Sequence, residues 1–176
     1  MSFDASSARI SRLIDEVAHR LKMPPVSYGG RASTPAADYC LWSHKIYVTP
    51  KVEAALTDYQ LSCLLAHEMG HAHTRIRLVI SLLLGLLTRV GLTLTVGVAF
   101  AAGGIRLGGL AGLGAWWVFR SANHQLRLWE ETSADAFGIA FAGGPCEYRE
   151  VLQAVVTLLN WKPNKLFRAR MSRLGG

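Results

Sequence analysis

The sequence predicts an α+β fold that is mostly helical, with a small β-sheet beside a central helix and an inserted helical hairpin. Apolar residues recur at helical spacing through most of the chain, whereas the alternation typical of strands is confined to residues 39–49. Residues 78–119 are almost uniformly apolar and interrupt this pattern. At 176 residues the chain has the length of about one domain. We therefore expect a single domain over residues 1–176, with the hairpin inserted at about 78–119.

The remaining elements follow from local signals in chain order. Residues 7–21 carry apolar side chains at helical spacing, and Pro24-Pro25 ends this helix. The later expectations are a connector or weak strand over 24–34, one or two strands over 39–49 with a turn near Ser43-His44, a short helix or turn over 51–56, and helices over 126–142, 146–160 and 166–174.

A short motif lies within the best-defined helix. Residues 67–71 read His-Glu-Met-Gly-His, which is H-E-x-x-H. Thr57 and Gln60 form a predicted capping box, and an apolar run follows without proline or glycine before Gly70. We therefore expect a helix of about four turns to carry the motif.

The spacing of the motif indicates a zinc site. Histidines four residues apart share one helix face, so His67 and His71 can bind one zinc ion. Glu68 lies beside the open position of the metal and can take a proton from water there, which is the chemistry of a metallopeptidase. The alternative is that both histidines are polar residues of an amphipathic helix. The small side chains at Ala66 and Gly70 favour zinc, because they leave room for a metal and a neighbouring element.

A catalytic zinc site normally has a third protein ligand. Glu131 is the best candidate, and Asp135, one helical turn later, can accept the free ring N–H of a ligand histidine. Ala134 leaves space for a facing helix. The alternative is an acidic helix start, in which Glu130 and Glu131 are solvated and favour the N-terminal dipole. Weaker candidate ligands are His73, His124 and His44.

The two motifs together resemble the M48 family of membrane-associated zinc metallopeptidases, which includes HtpX-type quality-control proteases and CAAX-prenyl proteases. In that family H-E-x-x-H is followed by E-x-x-A-D, often with a membrane hairpin between them. Here residues 131–135 read Glu-Thr-Ser-Ala-Asp. The resemblance runs from residue 23 to the C-terminus and implies a zincin-like (gluzincin) core that binds one zinc ion. It also implies a first strand after residues 23–26, a strand along the substrate cleft at 45–49 and a closing helix motif at 170–174.

Three features depart from the family pattern. The usual N-terminal transmembrane helices are not visible in the sequence. The Asn-Ala motif that commonly precedes the cleft strand is also missing, since residues 36–40 read Ala-Ala-Asp-Tyr-Cys. Asn164 stands where the family often has a histidine, six residues before the closing arginine. Histidine or arginine there is associated with steadying the oxyanion, so the resemblance leaves Arg170 to carry this role alone.

The composition indicates membrane attachment. Hydrophobic residues make up 51% of the chain and the mean hydropathy is +0.23, which is high for a soluble domain. A membrane span needs about 20 apolar residues. Arms near 78–102 and 103–119 would form a hairpin, although the second arm is short. The alternatives are a helical pair buried inside a soluble fold, or a pair that lies shallowly in the membrane interface.

Particular residues of the hairpin bear on its packing and depth. Small residues would let the two arms pack closely, and they are Gly103, Gly104, Gly108, Gly109, Gly112 and Gly114. Trp116 and Trp117 suit an interfacial aromatic belt. Arg89 would cost about 2.5–3.5 kcal/mol in mid-membrane, so we expect it to face the partner arm or the turn to lie elsewhere.

Charge predicts orientation and partners. Arginines flank the hairpin at Arg75, Arg77, Arg120 and Arg127. By the positive-inside rule, the zinc site faces the cytoplasm from the inner (cytoplasmic) membrane. The net charge of +7 favours anionic membrane lipid, and the scattered basic residues match no nucleic-acid motif, so no nucleic acid is expected as a partner. Three cysteines without metal-like spacing and a polar N-terminus without a signal peptide agree with a cytoplasmic domain.

The sequence therefore predicts a membrane-associated zinc metalloendopeptidase that hydrolyses protein or peptide substrates. The alternatives are a soluble H-E-x-x-H peptidase that cleaves a regulatory protein, and a non-catalytic zinc-binding membrane adaptor. Glu68 argues against the adaptor, because a structural zinc site needs no base and usually closes its fourth position with another Cys or His. The expected site consists of His67, His71 and Glu131 as metal ligands, Glu68 and Arg170 in catalysis, and Asp135 as support.

Overall fold

Six helices and three short strands make up the described residues, 3–32 and 36–175, of the computed structural model. They are α1 (Phe3–Leu21), β1 (Ser27–Arg31), β2 (Ala37–Cys40), β3 (Lys45–Val48), α2 (Pro50–Ala55), α3 (Asp58–His73), α4 (Arg75–Ala142), α5 (Pro145–Leu159) and α6 (Lys165–Leu174). The mostly helical α+β architecture with one small sheet is confirmed. The residues up to Arg75 and those from Glu131 onward form one compact unit, and Ile76–Glu130 forms a second.

The sheet has β3 in its centre. β3 pairs in parallel with β1 and antiparallel with β2, so the strand order is β1-β3-β2. Ile46 and Val48 are fully buried on one face, as the alternation of a strand requires. Both edges of β3 are hydrogen-bonded within the sheet, so this strand has no free edge for a peptide, and the expected position of residues 45–49 along the substrate cleft stays a prediction. His44 lies in the turn after β2 with φ of 53°, outside either strand.

Helix α3 is the central helix of its unit. Its capping box is confirmed, since the Thr57 hydroxyl accepts from the Gln60 N–H and the Gln60 side chain accepts from the Thr57 N–H, each at 3.2 Å. Every residue from Leu61 to Gly70 is buried. A helix that is covered all round belongs in the core, so the polar residues of the motif need internal partners.

Helix α1 covers one side of this core. Ile10, Leu13, Ile14 and Val17 are buried at the helical spacing that the sequence showed. The Arg9 guanidinium donates to the backbone carbonyls of Glu53 at 2.6 Å and Leu56 at 3.1 Å. These hydrogen bonds fix α1 against the end of α2.

Helices α3 and α4 approach each other most closely at Gly70. A Cβ atom at Gly70 would lie 2.9 Å from the Cα of Ala134 and 2.8 Å from the ring of Phe137. The expectation that small residues here admit a neighbouring element is confirmed. Because backbone meets backbone at this point, the side chains of α4 on either side of Ala134 reach the histidines of α3.

The Ile76–Glu130 unit is a pair of helical arms. The helix breaks at Gly103 and Gly104, where Gly104 has φ of 62°, and this matches the predicted boundary between the arms. A Cβ at Gly108 would lie 2.3 Å from the Phe100 ring, so this glycine does permit close packing. The same expectation is wrong at Gly109, Gly112 and Gly114, where a Cβ would meet nothing within 4 Å.

Helix α4 differs from the sequence expectation in one respect and has an unusually exposed surface. The predicted end at residue 119 and new start at residue 126 are wrong, because α4 continues through both. Its most apolar stretch of 18 residues has a mean hydropathy of 2.0, and 6% of that stretch is buried. The helix is therefore long and apolar enough to cross a membrane. The alternative of a helical pair buried inside a soluble fold does not hold, because leucines such as Leu86 and Leu94 are exposed.

Replacing Gly70 tests the close approach of α3 and α4. Gly70→Ala should destabilise the protein by about 1–3 kcal/mol, because its Cβ meets backbone atoms that cannot rotate away. The matched control is Gly91→Ala, where nothing lies within 4 Å of the new Cβ. Thermal unfolding of both variants in detergent provides the comparison. Equal unfolding temperatures for the two variants would show that the helices have room for a methyl group.

Candidate metal centre

The crossing of α3 and α4 brings three metal-binding side chains together. The Nε2 of His67 lies 3.6 Å from one Glu131 carboxylate oxygen, and the Nε2 of His71 lies 3.9 Å from the other. The three ligand atoms lie within 4.8 Å of one another, and no other described group of three His, Cys, Asp or Glu side chains does so. Tetrahedral zinc with bonds of about 2.0–2.2 Å separates its ligand atoms by about 3.3–3.6 Å. The donor set of two imidazoles and one carboxylate therefore fits a metal ion such as zinc.

Asp135 orients His67. The Nδ1 of His67 lies 3.0 Å from the Asp135 carboxylate, while its Nε2 points toward Glu131. A proton on Nδ1 leaves the lone pair of Nε2 available to a metal. Burial alone would raise the pKa of Asp135, but hydrogen bonds and charge from His67 and Arg170 hold it well below its usual range. The carboxylate is therefore ionised at neutral pH.

Arg170 connects the two carboxylates. Its Nε donates to Asp135 at 2.8 Å, one terminal nitrogen donates to the other Asp135 oxygen, and the second terminal nitrogen donates to Glu131. Burial lowers the pKa of Arg170, but the partnership with Asp135 and the charge of Glu131 outweigh burial and raise it. Asn164, where the family often has histidine, caps α6 by accepting from the Phe167 N–H at 2.8 Å. It thereby fixes the start of the helix that carries Arg170.

Sequence reasoning missed Tyr148, which completes the surroundings of Asp135. Its ring is fully buried, and its hydroxyl donates to Asp135 at 2.9 Å and lies 3.1 Å from the Nδ1 of His67. Gly138 makes this possible, since a Cβ there would lie 2.3 Å from the tyrosine ring. In the sequence Tyr148 looks like a core aromatic of α5. The one available signal was a polar hydroxyl on the apolar face of that helix.

Glu68 is buried in a different environment. Burial raises its pKa to about 7, His67 opposes this effect, and the negative charges of Glu131 and Asp38 add to it. The backbone N–H of Tyr39 hydrogen-bonds to the carboxylate and partly offsets the shift. Tyr39 belongs to β2, so the strand that borders Glu68 is an edge strand of the sheet.

The pKa values of the two histidines of the motif shift in opposite directions. Burial, with the positive charges of His67 and Arg170, lowers the pKa of His71 to about 3. Burial also lowers the pKa of His67, but the hydrogen bond and charge of Asp135 outweigh it and raise the value. His71 is therefore neutral at pH 7 and has no proton to lose before it binds a metal.

The weaker candidates lie away from this group. His73 is exposed and packs against Phe137, with ring centroids 5.3 Å apart. The Nδ1 of His44 hydrogen-bonds to the Tyr39 hydroxyl at 2.7 Å. His124 belongs to the Ile76–Glu130 unit. The structure thus assembles His67, His71, Glu131, Glu68, Asp135 and Arg170, and it adds Tyr148.

The raised pKa of Glu68 predicts a pH-dependent stability of the metal-free protein. The folded-state pKa of Glu68, about 7, exceeds its ordinary value of 4.5, so the stabilising contribution of this group is full below pH 4.5 and is lost as pH rises through 7. Between these two pH values the free energy of unfolding of wild type should therefore fall by on the order of 3 kcal/mol relative to that of Glu68→Gln. Chemical unfolding of both proteins after chelation, at acidic and alkaline pH, measures the difference. If the unfolding free energies of the two proteins changed in parallel with pH, Glu68 would not have the buried environment described above.

Comparisons with known proteins agree with this geometry. A search of the curated proteins and a search of the solved structures gave no match. A model of Peptidase family M48 matches residues 4–172, a range that includes both motifs and the helix carrying Arg170. The match covers nearly the whole chain and not the H-E-x-x-H string alone. The chain therefore belongs to Peptidase family M48.

Proposed function

We propose that this protein is a membrane-associated zinc metalloendopeptidase. Family membership indicates a protease that acts on proteins or peptides. The observation that carries the finer proposal is the convergence of His67, His71 and Glu131 beside the buried Glu68. A zinc ion held by these three ligands would polarise the scissile carbonyl and lower the pKa of the attacking water.

Glu68 is the proposed general base. It takes a proton from the attacking water and then gives it to the leaving amine. In the metal-free site burial raises the pKa of this carboxyl group to about 7, so its affinity for a proton exceeds that of an ordinary glutamate. A non-catalytic adaptor would have no use for such a group.

Arg170 is proposed as a positioning residue. The oxyanion role suggested by the family resemblance requires an N–H directed at the substrate. Three N–H groups of Arg170 are directed at Asp135 and Glu131 instead. These bonds orient Glu131 as a metal ligand and keep Asp135 ionised against His67.

The substrate is proposed to bind along β2. This strand lies at an edge of the sheet and contacts Glu68 through the Tyr39 N–H. An extended peptide can add to such an edge through backbone hydrogen bonds, independently of its sequence. A peptide held there passes the base and the three ligands, and its ends are free to continue, which favours an endopeptidase.

The hairpin is proposed to hold the single enzyme domain at the inner (cytoplasmic) membrane. The low burial of the most apolar stretch of α4 supports this proposal over a soluble peptidase. By the positive-inside rule, the flanking arginines favour the cytoplasmic side for the proposed catalytic residues. An HtpX-type or a CAAX-prenyl type of substrate is compatible with that location.

The ligand assignment predicts the metal content of variants. Wild type should bind one zinc ion per chain, His67→Ala and His71→Ala should bind none, and Glu131→Ala should bind weakly. Arg170→Lys keeps the charge but cannot bridge two carboxylates, so its zinc affinity should fall about 10–100-fold. Metal analysis and competition with a chelator measure these values. One zinc ion per chain in His71→Ala would refute the set of three ligands. A lower kcat at unchanged zinc affinity in Arg170→Lys would instead favour a role of Arg170 in stabilising the oxyanion.

The assigned roles also predict an order of activities. Glu68→Gln keeps the size of the side chain but cannot accept a proton, so it should retain zinc and lose nearly all activity. Asp135→Asn should lose roughly 10–100-fold, because the side chain only orients a ligand. Casein hydrolysis by purified proteins in detergent, with zinc content measured in parallel, should rank wild type above Asp135→Asn and both above Glu68→Gln. An active Glu68→Gln enzyme would contradict the proposed role of Glu68 as the general base.

The membrane proposal predicts where the two ends of the chain lie. Reporter fusions at each terminus should both report the cytoplasm, because the hairpin returns the chain to the side that it left. A signal from the opposite side at either end would refute the orientation. Recovery of the whole protein in the detergent-free soluble fraction would favour the soluble peptidase.

A further inference from the structure

We propose that the hairpin of Ile76–Glu130 binds one anionic phospholipid, with Arg89 as the phosphate-binding residue. A groove of about 310 Å³ lies between its two arms. Arg89 lines one end of the groove, and the rest is lined by Thr93, whose hydroxyl donates to the Arg89 carbonyl, and by apolar side chains from both arms, which are Leu92, Val96, Ala115, Trp116 and Phe119. The proposal rests on the membrane attachment proposed above but not on the peptidase chemistry.

The groove has a charged end and an apolar part along its length, as the binding site of an amphiphilic ligand would. Leu92 and Val96 follow Arg89 toward the break at Gly103, and the lining residues of the second arm run the same way from Phe119 to Ala115. At a rise of 1.5 Å per residue, the apolar part extends about 10 Å beyond Arg89. A ligand that fills the groove therefore has an anionic end and an apolar chain.

The charge of the hairpin favours an external anion as a partner. Residues 76–130 contain five arginines, no lysine and one acidic residue, Glu130, a net charge of +4. The Arg89 guanidinium lies over the Phe119 ring at 4.9 Å. The ring covers one face of the guanidinium and leaves its N–H edge free for oxygen acceptors. That planar edge matches two phosphate oxygens better than an ammonium group would.

The level of Arg89 along the hairpin favours a membrane lipid over a soluble anion. Arg89 and Arg120 both lie about 20–25 Å from the break, measured along their helices, and Trp116 and Trp117 lie beside that level. The apolar block between them and the break is shorter than a hydrocarbon core of about 30 Å, and exposed side chains such as Leu82 and Leu86 continue the apolar surface on the other side of Arg89. A long arginine side chain at this position can extend its guanidinium toward the headgroups, where it meets a lipid phosphate.

Native mass spectrometry of the purified full chain tests this site. The protein is released from detergent micelles that contain equimolar phosphatidylglycerol and phosphatidylcholine. Wild type should retain one phosphatidylglycerol with a preference of about tenfold, the effect of one charge-assisted contact. Arg89→Gln should abolish the preference and Arg89→Lys should reduce it. Ala115→Trp, which fills the groove without changing charge, should lower retention of both lipids.

The matched control is Arg106→Gln, which removes the same charge from the same hairpin outside the groove and should behave as wild type. Equal losses in Arg89→Gln and Arg106→Gln would show diffuse attraction and overturn the site, as would equal retention of the two lipids. Displacement of the lipid by inorganic phosphate would indicate a site for the free anion instead. Flotation with phosphatidylcholine vesicles separates the two proposals. A protein that floats but shows no lipid preference in the mass spectra refutes only the site. A protein that does not float refutes the membrane attachment.

Discussion

The candidate metal centre depends on one buried carboxylate, that of Asp135. Side chains from three other helices donate to it, namely His67 of α3, Tyr148 of α5 and Arg170 of α6. Taking a charged group out of water costs several kcal/mol unless donors replace the lost hydration. The packing of these helices satisfies Asp135. The orientation of His67, a proposed metal ligand, follows from that packing.

Burial alone does not decide how a carboxylate behaves in this site. Asp135 and Glu68 are both buried, yet their pKa values move in opposite directions. Asp135 receives hydrogen bonds from positively charged partners and stays ionised. At Glu68, burial and the neighbouring carboxylates outweigh the charge of His67 and the backbone donor of Tyr39, so the charged form is disfavoured. Two carboxylates whose environments differ in this way are suited to separate tasks, one structural and one in proton transfer.

Arginine has two roles in this chain for the same chemical reason. Its planar guanidinium stays charged and presents donors in a fixed plane. At Arg170 these donors meet two carboxylates of the protein, so the charge is neutralised internally. At Arg89 one face of the plane lies over Phe119 and the hairpin supplies almost no acidic side chains. The first arginine therefore orders the site, whereas the second leaves its donors for a partner outside the chain.

The sequence by itself determined the features that depend on local spacing. The capping box set the start of α3, the interval of four placed His67 and His71 on one face, and the same interval paired Glu131 with Asp135. Gly70 indicated a close crossing of two helices, because only glycine lacks a Cβ. Each of these signals lies within a few residues of the feature that it predicts, where helical geometry alone relates one side chain to the next.

Only the tertiary structure decided which distant residues meet. It put β3 in the centre of the sheet and left β2 beside Glu68, because strand order depends on pairing between segments that the sequence does not rank. It directed Arg170 at the carboxylates, and it brought Tyr148 to Asp135 through the space at Gly138. These contacts join residues that are far apart in the chain. Their partners are selected by the packing of whole helices and by the need to satisfy buried charge, and no local pattern encodes either.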